Sequence, residues 1–249
     1  MKKTLFAIVL LFVASSSFAQ KTKTNIYLTS GLEIPFSLPS LDVTYGIQDY
    51  NSSKGVVLRF APWINIQESI NFDFTGGFGV FAGLTLKNVG FIYKLTDPSL
   101  IDESFTRTEI RKKFRTYNLG VPVGIKLGSF DKFFFYGGYE IELPLHYKEK
   151  TFINNTKTRE REWFSDKTPD FIHSFFLGVE FPYSVNLKFK WYITPFFDKG
   201  CVDYIPMLPA IQYKDFGVNV YYISLGCNIF QNKNFYYKRY VQSADGYYY

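Results

Sequence analysis

Apolar side chains recur at every second residue in segment after segment of this chain, and that period constrains the fold more than any motif does. In "FFFYGGYEIELPLHY" (133–147) the odd positions Phe133, Phe135, Tyr139, Ile141, Leu143, Leu145 and Tyr147 are apolar or aromatic, and the even positions include Glu140, Glu142 and His146. Period two means a strand with two unlike faces. The same alternation runs through Ile26 to Leu38, Val56 to Phe74, Phe78 to Leu86, Tyr117 to Leu127, Phe171 to Phe181, Val185 to Phe197 and Gly217 to Phe230. The block from Val56 to Phe74 reads as one bent strand or as two strands joined near Gln67 to Ser69. At Asn88 the apolar parity moves to Val89, Phe91, Tyr93 and Leu95, which reads as a β-bulge.

Aromatic residues make up 20% of the chain, yet the mean hydropathy is only −0.07. Alternation produces that combination. The opening "MKKTLFAIVLLFVASSSFAQ" has a basic start, a short apolar run and a Ser17-Phe18-Ala19 cleavage site, so residues 1–19 read as a secretory signal peptide. No later run approaches the roughly 18 apolar residues of a membrane helix, so a membrane form of this chain has to be a closed barrel. The net charge is +6 and the pI near 9.0; export argues against nucleic acid as a partner and leaves anionic lipid or acidic glycan.

The connections alternate. Short turns fall at Thr75 to Gly77, Ser129 to Lys132 and Tyr183 to Ser184; long polar links fall at Pro39 to Ser53, Thr96 to Lys113, Lys148 to Asp170 and Asp198 to Gln212. Short periplasmic turns and long external loops give this order in an outer-membrane barrel. The expected fold is all-β: a transmembrane antiparallel up-and-down β-barrel of about eight strands, or ten if the second block splits. Residues 20–230 form the barrel, residues 231–249 a Tyr-rich periplasmic tail, and both termini lie in the periplasm. A soluble β-sandwich or lipocalin-like barrel also alternates, but it hides its apolar face. Here the apolar face is broad, and the opposite face holds most of the strand charges.

"FGVFAGLTLKNVGFIYKL" (78–95) and "YNLGVPVGIKLGSFDKFFFYGGYEIEL" (117–143) resemble the outer-membrane β-barrel domain proteins common in Bacteroidetes, a porin-like family of small barrels. Members carry a "GL-x-L-K/R-N-x-G" strand, a later "Y-x-L-x-x-P" strand and a glycine-rich aromatic hairpin. The resemblance covers most of the mature chain and implies location and fold. Its motifs carry no catalytic residue.

Glu140 and Glu142 lie on one face about 7 Å apart, a spacing that loosely suits a glycosidase carboxylate pair. An interior charge network is the stronger reading, because an eight-stranded barrel is filled by its own side chains. Glu33, Asp73 and Glu180 share the inward parity, as do Arg59, Lys126, Lys188 and Lys190. The glutamates are expected to pair with Lys188 and Lys190 across the lumen. His173 and Ser174 are neighbours on a strand and face opposite ways, so they cannot form a dyad. His146 is expected in the lumen, where one His with Glu142 is a poor metal site. Cys201 and Cys227 fall at opposite ends of their strands and are expected to be free thiols.

In "NNTKTREREWF" (154–164) Lys157, Arg159 and Arg161 alternate with Thr158, Glu160 and Glu162. If the flanking strands rise above the membrane, one face of this hairpin is basic and can contact lipopolysaccharide phosphates or acidic glycans. "TRTEIRKKFR" (106–115) is also basic and is expected near the headgroups. "YYISLGCNIF" ends on Phe230, the final aromatic that barrel-assembly machinery recognises. No phosphate loop, metal-spaced cluster or nucleophile elbow occurs, so no cofactor is expected. The expected role is non-enzymatic, namely envelope structure, surface binding or adhesion, by a monomer set in outer-membrane lipid and lipopolysaccharide. A narrow channel, an accessory subunit of a secretion or uptake system, and a small lipid-modifying enzyme are the alternatives.

Overall fold

Strands whose two faces differ this strongly satisfy both faces by closing on themselves, and the chain does so. A computed structural model describes residues 25–45, 48–50, 56–74, 77–101, 107–130, 132–153, 156–198, 202–203, 211–212 and 216–231. The segment expected to be a signal peptide, Cys201 and the residues beyond Gln231 lie outside the described residues. The strands are β1 (Asn25–Tyr45), β2 (Gln48–Tyr50), β3 (Val56–Val57), β4 (Arg59–Phe60), β5 (Ile66–Asp73), β6 (Phe78–Ile101) and β7 (Arg107–Ser129). They continue as β8 (Phe133–Ile153), β9 (Thr156–Trp163), β10 (Ile172–Glu180), β11 (Val185–Tyr192), β12 (Val202–Asp203), β13 (Ile211–Gln212) and β14 (Phe216–Gln231). The order β10–β11–β14–β1–β5–β6–β7–β8 is antiparallel throughout, and β8 pairs back to β10. The fold is a closed up-and-down transmembrane barrel.

Eight staves make the ring, because β3, β4 and β5 form a single broken one. The break falls at Ala61–Asn65, not at Gln67 to Ser69. Between the pairs Leu32↔Ile66 and Phe36↔Phe60, two extra residues are accommodated on the broken stave. Asn65 fills the break: its Nδ2 donates to the Ala61 carbonyl (2.8 Å) and its Oδ1 accepts from the Asn88 amide (3.0 Å). Arg59 donates to the side chain and carbonyl of Asn88.

Across the middle and the short-turn end of the ring, one parity is apolar and exposed, including Ile26, Leu28, Leu84, Val123, Phe135, Phe175, Leu177, Phe189 and Leu225. An uninterrupted belt of this kind is untenable in water and natural in hydrocarbon. The other parity is buried and polar: Thr29, Glu33, Ser69, Asn71, Asp73, Lys126, Glu140, Glu142, Lys188 and Lys190. Gly120 makes room inside, since a Cβ there would stand 2.5 Å from both Glu140 Oε1 and Thr85 Oγ1.

At the other end the arrangement inverts. β6, β7 and β8 run on as strand through stretches that read from sequence as loops, and β9 pairs with the upper half of β8. There the interior is apolar: Val89, Phe91, Tyr93, Phe114, Tyr147, Ile172, Tyr192, Phe196, Phe197, Val218, Val220 and Tyr222 form one buried cluster. The parity change at Asn88 is therefore not a bulge. β6 and β7 keep unbroken register from Thr85↔Gly120 to Thr96↔Glu109, and Lys87, Val89, Phe91 and Tyr93 all point inward. The lining changes from charged to aromatic. Phe197 likewise packs inside rather than continuing a lipid-facing row.

A bulge does occur in β8. Tyr117 pairs with His146 and Asn118 with Pro144, so Leu145 is the extra residue. Beyond it the faces exchange. Tyr147 is 1% exposed in the interior cluster, while His146 turns outward against Tyr117 and Trp163. The sequence pattern assigns these two residues the other way round.

Candidate functional site

Inside the membrane zone the charges form a continuous network. Lys190 Nζ donates to Glu140 (2.7 Å) and to Glu142, so it joins the two carboxylates that parity alone places side by side. Glu142 also accepts from Tyr192 (3.0 Å) and Asn118 (2.7 Å). Lys87 links Glu140 (3.2 Å) to Glu33 (3.7 Å). Lys188 does not reach the glutamate pair; it bonds Glu33 and Gln67 (2.9 Å). Three carboxylates and three ammonium groups thus neutralise each other. Lys87 stands on the same inward parity as Phe81 and Thr85, so alternation already offers it as a lumen cation, one that the interior set read from the sequence lacks.

Four other charged residues on the inward parity stand apart from that network. Asp73 pairs with Lys126, and the Tyr27 hydroxyl donates to Asp73 (2.8 Å). Arg59 serves the break in the second stave. Glu180 sits half-buried at the short-turn rim and accepts from Asn228 (3.2 Å). A polar cavity of about 520 Å³, counting its open mouth, lies at this end among Tyr27, Asn71, Tyr136, Asn186 and Asn228. Above the network the aromatic cluster fills the bore.

The residues that invite enzymatic readings are occupied. Ser174 Oγ donates to the Glu140 carbonyl (3.2 Å), and His173, on the opposite face, stacks on Tyr139 and hydrogen-bonds its hydroxyl. No cluster of metal-ligating residues occurs among the described residues. Cys227 is a free, exposed thiol.

The second charged region lies on the outward face of β7, β8 and β9. Cross-strand pairing places Tyr117, His146 and Trp163 in one row, then Arg115, Lys148 and Arg161, then Lys113, Lys150 and Arg159, then Arg111, Phe152 and Lys157. The first row adjoins the lipid-facing strip of Leu119 and Val121; the other three rise away from it. Eight cations and no acid occupy these rows. The acids of the β9 alternation, Glu160 and Glu162, point to the inner side, where Glu160 meets Lys167 (2.6 Å) and Glu162 meets Ser165. Beneath the grid Lys112 pairs with Glu149 (2.9 Å), and Tyr147 donates to Glu149 (2.8 Å).

Like charges directly opposite one another destabilise a sheet. Here two full rows are cationic across three strands. Aromatic rings brace them: Arg111 lies 4.7 Å from the Phe152 ring, and Arg115 lies 5.4 Å from the Tyr117 ring. Partial burial, and then the nearby Arg115 and Arg161, hold the Lys148 ammonium below the usual lysine range. Lys150 is lowered by partial burial and by Arg115, Lys157 and Arg159, and Lys113 by partial burial and by Arg111 and Lys157. Among the described residues none of the eight has a carboxylate partner. Such a face is ready to receive anions at several points. Lys157, Arg159 and Arg161 supply only its edge column. Arg111, Lys113 and Arg115 in "RKKFR", and Lys148 and Lys150 in "KEK", show the same i, i+2 spacing but sit in segments that look like loops.

No family model and no curated protein matches the chain. Among solved structures it is similar to Ail, the attachment invasion locus protein of Yersinia pestis, described in complex with the heparin analogue sucrose octasulfate. The identity is 10% and the TM-score 0.38, over 83% of this chain and 99% of that one. It is also similar to Neisserial surface protein A, at 11% identity and TM-score 0.34, over 82% of this chain and 96% of that one.

Proposed function

We propose that this protein is a non-enzymatic outer-membrane barrel that binds anionic ligands at the cell surface. The carboxylate-free cationic face of β7, β8 and β9 carries the reading. In this orientation the short turns and both termini are periplasmic, and the extended end stands outside, in the sense usual for outer-membrane barrels. The barrel works as a monomer, and its last strand, ending near Phe230, is the one that assembly machinery takes up. Outer-membrane lipid surrounds the belt. The paired interior charges hold the wall together, and the aromatic cluster above them supports a closed bore over a channel.

Retention of the detergent-solubilised, full-length protein on a heparin or polyphosphate matrix tests the reading. Retention should fall steeply with salt, because release of bound counterions drives such binding. The variant K148Q/K150Q/R159Q/R161Q should elute at markedly lower salt than the parent. Equal elution of the two proteins would overturn the proposal. In planar bilayers the parent should show no stepwise conductance.

A further inference from the structure

The cationic rows lie on the side wall of the barrel, in line with the lipid-facing strip, rather than on its crown. On β7 the outward parity runs from Ile125, Val123, Val121 and Leu119 through Tyr117 to Arg115, Lys113 and Arg111 without a break. On β8 the bulge at Leu145 restores outward-facing residues to the same column, so that His146, Lys148 and Lys150 stand beside them. A ligand arriving from solution meets the crown first. A molecule already in the leaflet meets this wall along its whole length.

Height decides which leaflet molecule fits. Successive same-face residues on a strand are about 7 Å apart, so the three cationic rows reach about 20 Å along the strand from Tyr117 to Arg111; a tilt near 40° makes that roughly 15 Å above the aromatic row. The phosphate of a glycerophospholipid occupies a single layer at the headgroup level and meets only the row nearest the aromatics. Filling the Lys113–Lys150–Arg159 row as well requires anions carried on a headgroup that projects further. A phosphorylated saccharide does so. The row between strip and cations suits its base: Tyr117 and His146 rings stack 5.9 Å apart, His146 and Trp163 lie 4.7 Å apart, and Trp163 is 68% exposed. Flat aromatic faces at the interface pack on sugar rings and on the first methylenes of acyl chains.

We infer that the occupant of this face is a phosphorylated glycolipid of the surrounding leaflet, with acyl chains along Leu119 and Val121, sugars over Tyr117, His146 and Trp163, and phosphates at two heights on the cationic rows. The inference rests on the surface-binding reading above and names its ligand class.

The full chain, reconstituted in phosphatidylcholine nanodiscs with lipopolysaccharide, is re-extracted into mild detergent, and the lipid retained per barrel is counted by native mass spectrometry. Parallel discs hold enzymatically dephosphorylated lipopolysaccharide, or phosphatidylglycerol at equal charge. At least one lipopolysaccharide per barrel should remain. Retention should drop about tenfold on dephosphorylation and about tenfold in K113Q/K150Q/R159Q, which spares the row nearest the membrane. K113R/K150R should retain the parent level. If the triple variant does not assemble, single R159Q and R161Q on the exposed strand β9 should each lower retention about threefold. Phosphatidylglycerol held as well as lipopolysaccharide, or retention unchanged in the variants, would overturn the inference. Salt-sensitive heparin binding without lipopolysaccharide retention would overturn it and leave the surface-binding reading standing; loss of both would overturn both.

Discussion

The two ends of this barrel solve opposite problems with one set of strands. In the membrane zone the apolar parity faces out and Glu140, Glu142 and Lys190 face in; at the extended end Phe91, Phe114 and Tyr147 face in and Arg115, Lys148 and Arg161 face out. The surrounding solvent, oil in one zone and water in the other, sets which face takes the apolar residues. The chain makes the exchange in two ways. In β6 the backbone continues unchanged and the lining switches from Lys87 to Val89. In β8 the backbone adds Leu145 and the faces trade places. The first device needs the sequence to change parity. The second lets the sequence keep its parity while the wall changes its role.

Deleting Thr116 from β7 is the most direct way to break that contrast, and it should have the largest effect. β7 has no extra residue there to absorb the loss, so Arg115, Lys113 and Arg111 would turn into the aromatic cluster and Phe114 would turn to water. A one-residue slip reverses every side chain beyond it. The membrane zone should still assemble and migrate as a heat-modifiable barrel, while protease should strip β9 and the upper part of β8. Deleting Leu145 removes only the residue that the bulge adds: His146 then follows Pro144 in regular alternation, Tyr147 stays inside, and the extension should stay protease-resistant. A protease-resistant extension in the Thr116 deletion, or its loss in the Leu145 deletion, would show that this alternation does not set the facing.

The next largest effect belongs to Lys190, the cation shared by Glu140 and Glu142. Lys190→Met should cost about 3–5 kcal/mol in urea unfolding, because it leaves buried carboxylates uncompensated. Glu142→Gln in the same background should recover part of the loss. Full additivity of the two changes would mean they do not form one network. At the aromatic end, Phe91→Ala removes a fully buried ring and should cost about 3 kcal/mol. Its unfolding should begin at the extended end, where loss of β9 protection would precede loss of the barrel band.

The sequence exposes the membrane zone well, because oil outside and charge inside make the two parities of a strand as different as they can be. Glu33, Asp73, Lys126, Glu140, Glu142, Lys188 and Lys190 can each be placed in the bore from alternation alone. What alternation cannot supply is which cation meets which acid, since pairing depends on stagger around the ring. Lys190 takes both hairpin glutamates and Lys188 takes Glu33 for that reason. The extended end is harder to read. "RKKFR" and "KEK" look like polar stretches because their apolar partners are sparse: Phe114 stands on the parity that lipid-facing logic does not expect, and Tyr147 keeps the lipid-facing parity but is turned inward by the bulge. The cationic grid then becomes visible only through register, which sets three short basic stretches side by side.

The smallest effect is also the one that separates the two zones most cleanly. Removing a charge inside the membrane zone destabilises, whereas removing one from the grid should stabilise. Lys150 stands between Lys113 and Arg159, directly opposite each. Lys150→Gln should therefore raise the unfolding free energy of the extended end by about 0.2–1 kcal/mol. pH should act in the same sense. The folded state holds the Lys148 and Lys150 ammonium groups below the usual lysine range. The repulsive penalty is then fully present below those lowered folded values and is relieved as pH rises toward the ordinary lysine value near 10.4. Protease protection of β9 should accordingly increase across that alkaline interval in the free protein. With a bound polyanion the ammonium groups are stabilised, their titration moves up, and the increase should vanish. A pH response that is the same with and without polyanion would show that the grid's own repulsion is not what the anion relieves.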